Sequence, residues 1–282
     1  MSGTLFPAWV DGTLVEPGAA AISVEDMGFQ LGLAVFDTLL QERGCRYFEE
    51  DHLERLASGA RSLGLPWPPP RDPAAALREY SRAVDDVDCV LRLTYSRGVP
   101  GRGPTLVVSA REPAPYPEDG VLVALESSAK LAGASLEAVK ATSRVRNVLA
   151  RDRALAAGAF EALLCTDEGD VAEGTISNVF AVVDGVVVTP SLERGVLAGI
   201  TRDRLLRDLR DDGVPCEEGR LDLADLERAE ELMLTNTTSR VIAVRGILGW
   251  ERPFPGVSGK TFRALRERFS RIEERYRTDR RE

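Results

Sequence analysis

The spacing of apolar and polar positions along this chain changes period repeatedly, and each change predicts a new element. Residues 8–15, AWVDGTLV, read as a β-hairpin turning at Asp11-Gly12. Residues 21–25 and 34–42 alternate as strands do. Leu53, Leu56, Ala60 and Leu63 fall on one helical face, which predicts a helix capped by Asp51 and running to about Gly64. Proline-rich WPPPRDP breaks the chain before a second helix at 73–84. Residues 89–96 and 104–110 read as strands joined by RGVPGRG. The stretch EPAPYPEDG, 112–120, is acidic, rich in proline and without periodicity, and reads as a linker.

Beyond the linker, VLVALESS reads as a strand, followed by a loop reaching Lys140 and a helix from about Ser143 to Ala157. FEALLCT and VAEGTISNVFAVVDGVVVTP predict strands with turns at 167–169 and at Asp184-Gly185. Helices are expected after GITR (199–202), over 223–229 and over 259–277. ELMLTN and RVIAVRGILGW flank a threonine-rich turn as two further strands. The mixture is α+β (mixed α/β). A length of 282 residues is comfortable for two cores. The expected division is a small N-terminal α/β domain over 1–111, the linker at 112–120, and a larger C-terminal α/β domain over 121–282.

Composition narrows the function. The net charge of −9 disfavours a nucleic-acid partner, which needs a basic face. No apolar run approaches the roughly 20 residues of a membrane helix. MSGTLFPAWVDG has no basic region followed by an apolar core, so a cytoplasmic protein is expected. The four cysteines, Cys45, Cys89, Cys165 and Cys216, form no Cys-x-x-Cys motif and read as free buried thiols. With His52 the single histidine, a histidine-rich zinc site is excluded and no metal is expected.

Of the 36 basic residues only Lys130, Lys140 and Lys260 are lysines. Arginine stays protonated and forms no Schiff base, so the candidates for amine chemistry are few. Lys140 lies just before the expected helix of 143–157, at a strand end where its side chain would enter a cleft or stand as an ordinary exposed lysine. Lys130, in an expected loop, and Lys260, at a helix start, read as surface residues. Glu173 is an acid at a glycine turn between two strands, a position that ordinarily faces solvent. Thr201 follows Gly199-Ile200 at the opening of a helix, where free N–H groups and the dipole attract a phosphate or where a threonine simply caps the helix. Thr237 and Thr238 bring hydroxyls and amides to a strand end, which suits an anion or simply a polar turn. Arg55, on the helix of HLERL, suits either a phosphate or a nearby acid.

The order of these features resembles the class-IV aminotransferases, a family of pyridoxal-phosphate enzymes. DMGFQLGLAVFDTL…YFEEDHLERL resembles that family's N-terminal signature, and residues 139–182 its core. LAGITRDRLL and LMLTNTTSRVIAV continue the match in order, so that it covers roughly residues 8–250. The resemblance implies fold type IV, with two α/β domains, pyridoxal 5'-phosphate between them, and a homodimer. It implies that Lys140 is the Schiff-base lysine and that Glu173 pairs with the protonated ring nitrogen. It likewise implies a phosphate cup of Arg55, Ile200, Thr201, Thr237 and Thr238. Leu197 would pack on the ring face, and Asn178 would stand behind the first layer of contacts.

The chain departs from the family on the substrate side. The usual Gly-Asp-Gly-Val-Phe/Tyr-Glu is GLAVFD at 32–37, with Asp37 shortening the glutamate. Phe36 lacks the hydroxyl that helps hold a substrate carboxylate, so Arg97 or Arg102 is expected to bind it. Two activities are open: transfer of an amino group between an amino acid and a 2-oxo acid, of D-amino-acid or branched-chain type, or the pyruvate elimination of aminodeoxychorismate lyase. SRGVPGRG at 96–103 resembles a stretch of the lyase, although D-amino-acid transaminases also have an arginine matching Arg97. A non-catalytic relative is disfavoured by the presence of both Lys140 and Glu173.

Overall fold

The computed structural model describes residues 5–280, apart from the side chains of 128 and 129. They form two compact units. The first comprises the described residues of Met1–Ala114, Val139–Ser143 and Arg280–Glu282, and the second comprises Pro115–Ala138 and Arg144–Asp279.

The first unit is built on a six-stranded antiparallel sheet. Its elements are β1 (Ala8–Val10), β2 (Thr13–Val15), α1 (Met27–Leu31), β3 (Ala34–Glu42), β4 (Cys45–Arg46), α2 (Glu49–Ser62), α3 (Pro73–Ala83), β5 (Cys89–Val99) and β6 (Gly103–Arg111). The strand order is β2-β1-β6-β5-β3-β4. The first hairpin turns at Asp11 and Gly12, with φ of 47° and 96°, the positive angles that a two-residue turn demands. Leu39, Leu56, Leu77, Tyr80, Leu91 and Tyr95 pack between the sheet and α2 and α3.

Three expectations for this unit need correction. Residues 21–25 form no strand. Ile22 and Val24 are exposed, so the alternation has no apolar face to pair against. The chain instead turns on Ser23 and enters α1, where the Asp26 carboxylate accepts the Gly28 N–H. Helix α2 starts before Asp51 because Phe48, buried and in the left-handed region at φ 57°, sets its entry. Strands β5 and β6 extend into RGVPGRG and leave a short turn. Gly98 permits this at φ 74°, since a Cβ there would lie 1.7 Å from the Gly103 carbonyl oxygen.

The segment Val139–Ser143 belongs to this first unit, although a linear division of the chain at 112–120 groups it with the C-terminal residues. Its backbone completes the free part of β3. Phe36 N–H donates to Lys140 O at 2.9 Å, and Thr142 N–H donates to Ala34 O at 2.9 Å. Strand β4 pairs only with Gln41 and Glu42, which leaves Ala34–Phe36 needing such a partner.

The second unit is an eight-stranded mixed sheet of order β12-β11-β10-β13-β14-β7-β8-β9. Its strands are β7 (Val121–Lys130), β8 (Glu161–Thr166), β9 (Val171–Gly174), β10 (Asn178–Val183), β11 (Val186–Pro190), β12 (Cys216–Gly219), β13 (Glu231–Asn236) and β14 (Arg240–Ile247). The helices are α4 (Val145–Ala156), α5 (Ile200–Asp211), α6 (Leu223–Arg228) and α7 (Lys260–Asp279). Every residue of β8 and β10 is buried, the mark of strands covered on both faces. An Asp222–Asp225 capping box starts α6. All four cysteines are free thiols; three are buried and Cys216 is half-buried. Among the described residues no helix is long and apolar enough to cross a membrane, and no group of His, Cys, Asp and Glu could hold a metal ion.

Candidate active site

The first unit assembles its chemistry on the two faces of β3. Successive strand residues point to opposite faces, so Phe36 and Asp37 serve different neighbourhoods. On one face Phe36 stands opposite Thr94 of β5. The Arg92 guanidinium lies 3.7 Å from the Phe36 ring centroid, and the Lys140 amine lies 5.0 Å from it. A guanidinium and an amine thus both approach one aromatic ring. The sequence reading passed over Arg92; its alternation with Thr94, on the face shared with Phe36, was the available signal. Arg97 and Arg102 are exposed, near the turn that joins β5 and β6.

Behind that face Asp37 is buried, and Asp37, His52 and Arg55 form a cluster. The Asp37 carboxylate accepts His52 Nδ1–H at 2.7 Å, Arg55 Nε–H at 2.8 Å and an Arg55 Nη–H at 2.7 Å. Burial raises this carboxyl, but the Arg55 guanidinium and the His52 ring outweigh it and hold the group far below the usual carboxylate range. Burial pushes the His52 imidazole down, against the pull of Asp37. An ionised Asp37 only accepts, so Nδ1 carries the proton of the neutral ring. Nε2 is buried without a hydrogen-bond partner. Of the two partners open to Arg55 from sequence, the acid is present.

The second unit carries the remaining candidates, with Glu173 bonded to the loop that leads into α5. Glu173 is buried in β9. One of its oxygens accepts from Lys130 Nζ at 2.5 Å and the other from the Leu197 N–H at 2.9 Å. Lys130 is therefore not the surface residue expected. Strand β7 continues to Lys130, which pairs with Thr166, and carries the side chain inside, where it is 3% exposed. Its Nζ also donates to the carbonyls of Gly195 (2.5 Å) and Glu137 (3.2 Å). These three acceptors make burial of an ammonium tolerable. Lys260 is exposed at the start of α7.

The turn that follows Glu173 rests on a buried acid that the sequence reading also missed. Glu161 accepts from Ser177 Oγ at 2.6 Å, Ile176 N–H at 2.9 Å and Thr175 Oγ1 at 3.0 Å. Burial raises its carboxyl against these bonds. An acid inside the apolar run FEALLCT was its signal. Asn178 begins β10 and donates Nδ2–H to Leu197 O at 2.9 Å. A Cβ at residue 199 would lie 1.8 Å from Asn178 Oδ1, so this approach requires Gly199. Gly199 caps α5 without a side-chain bond, and Ile200 and Thr201 are buried in its first turn. That leaves first-turn N–H groups able to meet an anion. Thr237 and Thr238 lie in a loop closed by Asn236, whose Oδ1 accepts the N–H groups of Thr238 (3.1 Å) and Ser239 (2.7 Å).

These parts suit a cofactor with an amine-reactive carbonyl, a basic ring nitrogen and a phosphate. Within the first unit Lys140 carries an amine, and within the second the start of α5 carries an anion site. Each Glu173 oxygen has accepted one described hydrogen bond and, as a carboxylate oxygen, has room for a second. The residues present therefore fit pyridoxal phosphate.

The mixed α/β architecture is that of the fold type IV aminotransferases. The chain belongs to the amino-transferase class IV family, whose model matches residues 34–247. It is 32% identical over 252 residues to a Methanocaldococcus jannaschii protein provisionally named a branched-chain-amino-acid aminotransferase, covering 86% of this chain and 88% of that one. It is 29% identical to the D-alanine aminotransferase of Bacillus licheniformis, covering 85% and 87%. A solved branched-chain aminotransferase of Thermoproteus uzoniensis, with norvaline, superposes with a TM-score of 0.87 at 27% identity and covers 97% of each chain. The protein is thus an enzyme of a class that works with pyridoxal phosphate.

Proposed function

We propose that the protein transfers an amino group between an amino acid and a 2-oxo acid, as an aminotransferase of branched-chain or D-amino-acid type, with Lys140 carrying pyridoxal 5'-phosphate. The observation that carries this reading is the buried Glu173 carboxylate, ion-paired and oriented, with acceptor capacity left for a ring nitrogen. When bound, the cofactor supplies a sink for the electrons left on the substrate carbon as its proton departs. Glu173 accepts a hydrogen bond from the ring nitrogen and favours its protonated form. Lys140 takes and returns the proton at its Nζ. The first-turn N–H groups at Ile200 and Thr201, with Arg55, Thr237 and Thr238, bind the phosphate. Leu197 packs on the ring, and Asn178 fixes the Leu197 carbonyl.

Arg97 or Arg102 binds the substrate carboxylate in this reading, since Phe36 offers no hydroxyl. The RGVPGRG turn, which carries both arginines, also favours a second reading, elimination of pyruvate as in aminodeoxychorismate lyase. The protein acts as a homodimer in the cytoplasm. Val145, Val148 and Leu149 on α4 support the dimer, being exposed apolar side chains on one helix.

Borohydride reduction in the presence of the cofactor, followed by peptide mapping, should place the label on Lys140. A label on Lys130 or Lys260, or no visible band, overturns the reading. A panel of L- and D-amino acids, followed by the cofactor's absorbance, then separates the substrate classes. Pyruvate release without amino transfer would select the lyase.

A further inference from the structure

Lys130 is buried, satisfied at every donor and bound to the acid on which the proposed function rests. We infer that Lys130 is a positioning residue for Glu173 and for the loop that leads into α5. The inference rests on the proposed function only for its effect on catalysis; the geometry stands by itself.

Three acceptors from separate segments converge on one nitrogen: Glu173 Oε1, Gly195 O and Glu137 O. The second Glu173 oxygen is held by the Leu197 N–H. With a different donor on each oxygen the carboxylate is fixed against rotation about its terminal bond. Gly195 is two residues before Leu197 and five before Ile200, so the same ammonium anchors the loop carrying the proposed ring-packing residue and the proposed phosphate-binding turn. Glu137 ends three residues before Lys140, in the short 3-10 turn Ser135–Ala138.

The choice of lysine agrees with this role. Arginine fills 33 of the 36 basic positions, yet this one is lysine. A guanidinium spreads its donors over a planar fork, whereas an ammonium presents three from a single atom. Acceptors that converge on a point select the ammonium.

The test uses the full-length protein with Lys130→Met and Lys130→Arg. In cofactor-free protein, hydrogen exchange of the backbone N–H groups over 195–201 should accelerate by roughly tenfold or more in Lys130→Met, the scale for losing a hydrogen bond to a charged group. In the loaded enzyme, kcat should fall roughly ten- to a hundredfold. KM for the amino donor should change less than about threefold, because no substrate contact is removed, and the cofactor's visible band should shift. Lys130→Arg keeps the charge and guards against a misfolded methionine variant; it should restore stability but only part of kcat.

Lys130→Met with parental exchange over 195–201, an unchanged band and unchanged kcat overturns the inference. So does full recovery of kcat in Lys130→Arg, which would make charge alone sufficient. Failure of the proposed function has a different signature, the absence of a cofactor label on Lys140 in the parent protein.

Discussion

Asp37→Asn removes one negative charge while almost preserving the side chain's shape. Asp37 is 1% exposed and Arg55 13%, so water reaches little of the pair. The parent carboxylate accepts two N–H groups of Arg55 and one of His52, together with the Thr38 N–H at 2.7 Å. The asparagine keeps one oxygen acceptor and turns an NH2 group towards a guanidinium or an imidazole N–H, donor against donor. A buried charge that loses its partner costs about 3–5 kcal/mol. For a protein of this size that lowers Tm by roughly 10 °C.

The pH dependence of this loss has a definite sign. The folded Asp37 carboxyl lies far below its unfolded value, near about 3.9. Its stabilisation is therefore fully present above the unfolded value and fades only as pH falls towards the much lower folded one. The gap between parent and variant should be constant from pH 6 to 8 and narrow progressively as pH falls through about 4. Urea unfolding at several pH values measures it. A loss under about 1 kcal/mol, the range of an exposed pair, would refute the claim that the cluster is shielded from solvent.

Other substitutions test the remaining assignments. His52 is held below its usual value by burial, so the unfolded chain binds a proton that the folded ring refuses, and stability falls as pH drops below about 6.5. Stability of His52→Gln, measured by urea unfolding from pH 7.5 to 5, should lose that component; an unchanged slope argues against a neutral buried ring. Arg55→Ala should weaken cofactor affinity by about 1.5–3 kcal/mol in a binding titration, and unchanged affinity would assign Arg55 to a structural ion pair with Asp37. Glu173→Gln should cut kcat by orders of magnitude with the cofactor still bound; near-parental turnover at saturating cofactor would send the ring nitrogen to another partner. Arg97→Ala should raise KM for an amino acid more than for a simple amine, and equal effects would remove it from carboxylate binding.

Local pattern reaches as far as local physics does. The Asp11-Gly12 hairpin, the helix after Pro73 and the Asp184-Gly185 turn were legible because turn conformation, capping and side-chain period are set by neighbours a few positions away. Alternation alone failed at 21–25, where nothing covers Ile22 and Val24. Resemblance to a family marked Lys140, Glu173 and Arg55 by the order of motifs and gave no sign of the Lys130 ammonium bound to Glu173 or of Asp37 and His52 beside Arg55.

Tertiary structure decided the partners. Asp37 meets residues 15 and 18 positions further along the chain, because β3 and α2 pack together. Glu161, inside an apolar strand, became a support because the 175–177 turn folds back over it. The backbone at Lys140 joined the first unit because the open edge of β3 had N–H and C=O groups to satisfy. Lys130 was read as exposed from its apparent loop, since an ammonium is ordinarily stable only in water. Two of its three acceptors lie 43 and 65 residues further along the chain, and only the folding that brings them to one point with the nearby Glu137 carbonyl replaces that water.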